Sequence, residues 1–209
     1  MEISLPELWQ MEMDQLKLET EKEPDDVIWR FSPLDINEFD IMLHIAYDLA
    51  TKPFIAVRTG QISMVEAGSG IGTKLYLAKH KYRLTEYGYE INAEYVDKSR
   101  KLGVQAELRD LTMEPTPIWS AYDIVYTCRP LKDDIAEVKL EKSIQDGMRP
   151  GAVLIAAFVA SKPHDWPIYY RRPFRGIWVK PDPDDHRTRA EARAAVVRRA
   201  QSIYAGSSA

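Results

Sequence analysis

Residues 65–73 read Val-Glu-Ala-Gly-Ser-Gly-Ile-Gly-Thr, VEAGSGIGT. An apolar run at Ile62–Glu66 has the length and composition of a short strand, and the spacing predicts a helix over Thr73–Lys81. Gly68, Ser69, Gly70 and Gly72 therefore fall where a strand turns into a helix. Glycines there let the chain turn tightly and let a ligand approach the backbone. The free N–H groups of the following helix point toward such a ligand.

Working outward, the same rhythm repeats. Leu84–Glu90 reads as a second strand, Ala93–Leu102 as a helix, Gln105–Asp110 as a third strand and Tyr122–Thr127 as a fourth. Leu131–Gln145 reads as a helix, and Ala152–Val159 (AVLIAAFV) as a fifth strand apolar enough to be covered on both faces. Repeated strand–helix units imply an α/β fold with a mostly parallel sheet and helices on both faces. Ile168–Tyr170 and Gly176–Val179 are candidates for antiparallel strands closing the sheet, which would make seven. On the N-terminal side, residues 4–20 and 35–50 have helical spacing, with Asp35 or Asn37 available as a cap. Residues 1–55 are expected to be a helical appendage serving as a lid, a dimer surface or both. Residues 56–209 are expected to form the main domain, ending in an Arg-rich helix over 187–204.

Three carboxylates fall at successive strand ends. Glu66 ends strand one and can attract an ammonium group. Glu90, twenty-two residues after Gly68, can accept both hydroxyls of a ribose. Asp110 can accept a hydrogen bond from an adenine amino group. The dinucleotide pattern GxGxxG would need glycine at position 73, where the chain has Thr73, so the run is GxGxG. A pyrophosphate gains nothing from Glu66 beside it, because like charges repel. The pattern thus favours a nucleoside with a cationic tail over a dinucleotide.

These segments resemble the motifs of the class I S-adenosylmethionine-dependent methyltransferases. VEAGSGIG resembles their first motif, GYEINAEYVDKSR (88–100) the second strand and its helix, and AELRDL (106–111) the acidic third strand. YDIVYTCRP (122–130) resembles the fourth strand and the loop facing the methyl group, and MRPGAVLIAAF (148–158) the turn into strand five. The resemblance covers roughly residues 60–160 and implies a Rossmann-like fold with S-adenosyl-L-methionine as cofactor. It implies that Glu66, Gly68, Ser69, Gly70 and Gly72 line the methionine portion and that Glu90 holds the ribose. Ile91 would pack on the adenine, with Asp110 and Leu111 at its edge. Thr127 and Cys128 would lie near the reactive end. GSGIG with GYEIN is also similar to small protein-lysine methyltransferases of archaeal and mitochondrial type, although CRP at 128–130 matches them less well.

Methyl transfer needs alignment and desolvation of a nucleophile more than a fixed catalytic set. The candidates are Thr127, Cys128, Arg129 and Tyr169. Arg129 could clamp an acidic substrate or pair with Asp133 or Asp134, and Tyr169, in the aromatic run 164–174, could orient the acceptor. Cys128 could be a nucleophile or a small packing residue. Thr127-Cys128-Arg129-Pro130 departs from the (N/D/S)PP(Y/F/W) loop of adenine N6 enzymes, and its order is not the Pro-Cys of cytosine C5 enzymes. The acceptor is expected to be a nitrogen or oxygen nucleophile on a protein side chain or a small molecule. Cleavage or cyclisation of the same cofactor is the alternative reaction, and a non-catalytic binding module the alternative role.

Composition sets the outer bounds. With 45% hydrophobic and 29% charged residues, the 209-residue chain is an ordered globular type. There is no eighteen-residue apolar run, and the acidic start MEISLPELWQMEMDQ is unlike a signal peptide, so a cytoplasmic location without membrane contact is expected. Cys128 is the only cysteine, which excludes an internal disulfide and a thiolate zinc cluster, and the four histidines show no metal-binding spacing, so no metal is expected. Residues 1–30 hold nine Asp/Glu against three Lys/Arg, whereas the tail carries Arg187, Arg189, Arg193, Arg198 and Arg199. That tail permits nucleic-acid contact, but the net charge of −4 does not favour it.

Overall fold

The structure, a computed structural model, describes residues 3–20, 34–51, 60–172 and 174–182. The helix expected over 187–204 lies outside them. Two helices come first, α1 (Leu5–Thr20) and α2 (Ile36–Thr51). Asp35 caps α2, accepting from Asn37 N at 2.9 Å and Glu38 N at 3.1 Å, so the cap is Asp35 and not Asn37.

Then follow β1 (Ser63–Ala67), α3 (Thr73–Tyr82), β2 (Thr85–Glu90), α4 (Ala93–Lys101), β3 (Ala106–Leu108), β4 (Ile124–Thr127), α5 (Asp134–Gly147), β5 (Val153–Ala157), β6 (Ile168–Arg172) and β7 (Arg175–Val179). The strands form one seven-stranded sheet in the order β3-β2-β1-β4-β5-β7-β6. β1 to β5 are parallel, and β7 runs antiparallel to both β5 and β6. The strand order reverses between β1 and β4, and ligands of open α/β sheets bind beyond the strand ends at such a point.

Several boundaries differ from the sequence expectation for local reasons. β3 stops at Leu108, because the Asp110 carboxylate turns back to accept from Thr112 N and Oγ1. The helix expected from Leu131 begins at Asp134, where Asp133 caps it by accepting from Ala136 N at 2.7 Å. β5 ends at Ala157, because Phe158 has a left-handed φ of 56°.

Two apolar cores flank the sheet. One packs Leu8 of α1 and Phe39, Met42, Leu43 and Ala46 of α2 against Met64, Leu75, Ile124, Tyr126 and Ile155. The other packs Tyr89, Leu111, Trp119, Leu140 and Ile144 against Val65, Val125 and Leu154. The appendage expected over 1–55 thus contributes, in α1 and α2, side chains to one continuous core with the sheet. Residues 73–78 of α3 are all buried, because the sheet covers one side and the N-terminal helices contact the other. No helix among the described residues is long and apolar enough to cross a membrane.

Candidate cofactor site

After Ala67 the chain makes its turn with φ of 76° at Gly68, 54° at Gly70 and 82° at Gly72, a region unfavourable for other residues. The turn is tied to β2. Gly68 N and Ser69 N both donate to Tyr89 O at 2.9 Å. Gly88, in the middle of β2, makes the approach feasible: a β-carbon there would stand 2.6 Å from Ser69 Cβ.

Glu90 holds the next link. Its Oε2 accepts from Gly70 N at 2.7 Å and its Oε1 from Asn92 N at 2.9 Å. Burial raises its pKa, and these N–H donors pull it partly back. Ser99 of α4 donates to Gly70 O at 3.1 Å from the other side. Ile91, just past β2, is 42% exposed, an open apolar side chain beside Glu90.

Glu66 lies one register step from Glu90: it pairs with Gly88, so both carboxylates leave the same face of the sheet. Glu66 is buried, its Oε2 has no hydrogen-bond partner among the described residues, and burial raises its pKa well above the usual carboxylate range. Ser69 Oγ and Thr127 Oγ1 are likewise buried and without a partner among the described residues. The third expected carboxylate follows β3, whose Leu108 pairs with Glu90. Asp110 is held in its own turn with Thr112, and Leu111 packs into the core with Tyr89 and Trp119.

Of the candidates for the reactive end, three share the end of β4. Cys128 packs against the core beside Tyr126, and burial pushes its thiol up to about 11, which marks it as a packing residue and not a ready nucleophile. Arg129, at φ 46°, pairs with Asp134. Tyr169, the fourth candidate, does not share the end of β4. It lies on edge strand β6, three strand spacings or about 14 Å from β4, and packs against the core. It follows Ile168, whose level in the ladder, through Trp178 and Leu154, is that of Val125 in mid-strand.

Residues not singled out from the sequence complete the region. Glu12 of α1 is buried and accepts from Thr73 Oγ1 and Lys74 Nζ at the start of α3. The sequence signal was a carboxylate on the buried stripe Leu8, Glu12, Gln15 of an amphipathic helix. On α5, Glu137 accepts from Leu131 N at 2.9 Å, and Glu141 accepts from Ala160 N at 3.0 Å and from Ser161 N. The two carboxyls, one turn apart and hydrogen-bonded together, fasten the loops that follow β4 and β5. Burial pushes Glu137 up to about 7.

The fold recurs in solved structures. An RNA methyltransferase from Salinibacter ruber in complex with S-adenosyl-L-homocysteine is 20% identical, matches 75% of this chain and 100% of its own, and superposes with a TM-score of 0.53. The chain has the fold of the S-adenosylmethionine-dependent methyltransferases. A mutant of MtNAS in complex with S-adenosylmethionine shares that fold at 14% identity, over 83% of this chain and 73% of its own, with a TM-score of 0.50. No family model and no curated protein matches the sequence. In this methyltransferase fold the turn at 68–72, Glu66 and Glu90 occupy the carboxyl edge at the point where strand order reverses.

Proposed function

We propose that the chain is an S-adenosylmethionine-dependent methyltransferase. The observation that carries this is the Gly68–Gly72 turn clamped to β2 by Tyr89 O and the Glu90 carboxylate, with Glu66 on the same sheet face. The free lone pairs of Glu90 suit ribose hydroxyls, and Ile91 offers an apolar surface for the adenine, with Asp110 and Leu111 at its edge. Gly68, Ser69, Gly70, Gly72 and Glu66 face the amino-acid portion. The unpartnered Ser69 Oγ is the kind of buried polar atom a ligand would satisfy.

When bound, the sulfonium supplies the methyl group and departs as a thioether. The chain itself aligns the acceptor and excludes water. Thr127 and Arg129, with the loops fastened by Glu137 and Glu141, border the space where an acceptor would stand. The acceptor we favour is a nitrogen or oxygen nucleophile on a protein side chain, lysine included, or a small molecule. RNA is the second reading, because a structural neighbour whose whole length this chain spans is an RNA methyltransferase and the C-terminal tail is arginine-rich.

Two measurements test this. Calorimetric titration should give saturable binding of S-adenosylhomocysteine. Transfer from methyl-labelled S-adenosylmethionine to fractionated protein, RNA and metabolites should label one fraction and form adenosylhomocysteine. Release of methylthioadenosine instead would show cleavage of the cofactor, and absence of nucleoside binding would sink the proposal.

A further inference from the structure

α1 lies across the start of α3. Ile3 N donates to Tyr76 OH at 3.0 Å, and Gln15 bonds both Tyr95 OH at 3.2 Å and Lys98 Nζ at 2.6 Å. Between these anchors Glu12 reaches the first turn of α3, immediately after the glycine turn. Its Oε1 takes Thr73 Oγ1 and Lys74 Nζ, while its Oε2 is buried without a partner among the described residues. Glu66, close enough that Glu12 raises its pKa, has the same orphaned Oε2. Lys74, only 4% exposed, is the cation between them.

Two buried carboxylates against one buried ammonium leave the pocket one positive charge short, and a buried unpaired charge is costly. Burial disfavours the charged carboxylates and raises the pKa of both acids, so a proton can fill the deficit. The other groups that face them do not supply the charge: Glu90 and Asp35 are acidic, and Tyr126 and Cys128 are held neutral. A primary ammonium brings one charge and three donors, which matches the two orphaned carboxylate oxygens and the nearby Ser69 Oγ.

We propose that Glu12 of α1 and Glu66 of β1 together seat a primary ammonium group of the ligand, making α1 a wall of the binding site and Glu12 a ligand-binding residue. This rests on the cofactor assignment above, whose amino-acid tail carries such a group. Entry of the ammonium favours the ionised form of both acids, so binding is accompanied by proton release from whichever holds a proton beforehand.

The test compares S-adenosylhomocysteine with 5′-methylthioadenosine, which lacks the amino-acid tail, by calorimetry on the full chain. Glu12→Gln keeps an acceptor for Thr73 but removes the charge. It should weaken adenosylhomocysteine about tenfold and leave methylthioadenosine within about twofold. In the wild-type chain, titrations from about pH 5 to 8 should include a window in which the heat of adenosylhomocysteine binding varies with the buffer's ionisation enthalpy in the sense of proton release, while that of methylthioadenosine does not. Equal losses for both ligands, or none, would overturn the seat while leaving the cofactor assignment standing. A wild-type chain that binds neither nucleoside overturns the cofactor assignment and the seat with it. If Glu12→Gln does not fold, proton release by the wild type decides alone, and its absence overturns the seat.

Discussion

Gly68 lies directly beneath Pro130: a β-carbon on Gly68 would stand 2.4 Å from Pro130 Cβ. The two residues belong to the loops that leave β1 and β4, so this contact joins the cofactor turn to the loop at the reactive end. Gly68→Ala adds the clash to an unfavourable φ of 76° and should cost about 1–3 kcal/mol in denaturant unfolding, together with most nucleoside affinity. Adding Pro130→Gly removes the opposing β-carbon and should restore part of the stability. A double variant no more stable than Gly68→Ala alone would show that the φ, and not the contact, sets the cost.

Glu90 has two tasks. Its Oε2 holds Gly70 N, and its remaining lone pairs are the proposed ribose acceptors. Glu90→Gln keeps one carbonyl acceptor and turns an amide NH2 toward Gly70 N or Asn92 N, so adenosylhomocysteine affinity should fall roughly ten- to a hundred-fold by calorimetry and the melting temperature should fall by a few degrees. Wild-type affinity in Glu90→Gln would remove the ribose role.

Cys128 should be inert near neutral pH. With its thiol pushed up to about 11, the thiolate fraction at pH 8 is about one in a thousand, against roughly a quarter for a free cysteine. Reaction of the folded chain with a disulfide reagent should be slow and should rise about tenfold per pH unit through pH 8–10. Unfolding the chain in guanidinium should restore ordinary reactivity. Fast modification in the folded state would return Cys128 to the list of nucleophiles.

What could be read before the structure follows from how local each cause is. The β1–turn–α3 unit was readable because Gly68, Gly70 and Gly72 need no distant partner to announce a tight bend. Glu66 and Glu90 were readable because the strand period of two places them on one sheet face. The bond from Thr112 to one oxygen of Asp110, two residues away, is a local choice that strand spacing alone does not announce. How far Tyr169 lies from β4 was not readable, because only the order β5-β7-β6 sets it. Glu12 was overlooked because its meaning depends on α1 crossing α3, with Glu12 and Thr73 sixty-one positions apart.

The paired carboxyls of α5 predict an unusual pH dependence of stability. Glu137 has an ordinary value of 4.5 and is pushed up to about 7 by burial. Between those values the folded chain holds a proton that the unfolded chain has released, so its contribution to stability falls as the pH rises through that window and levels above about 7. Glu12, Glu66 and Glu90 are raised as well and act in the same direction. Asp123 is lowered, because the donors Ser63 and Arg149 outweigh its burial, so its contribution is instead lost toward the acid end. Comparison with Glu137→Gln isolates one group from the rest, since the others titrate in both proteins. The glutamine can still accept from Leu131 N and can donate to Glu141 in place of the carboxyl proton. Urea unfolding from about pH 5 to 8 should show the variant gaining on the wild type as the pH rises, reaching an advantage of about 1–3 kcal/mol above pH 7. Parallel curves would mean that Glu137 is ionised throughout and that the loops after β4 and β5 are held by a charge instead of a shared proton.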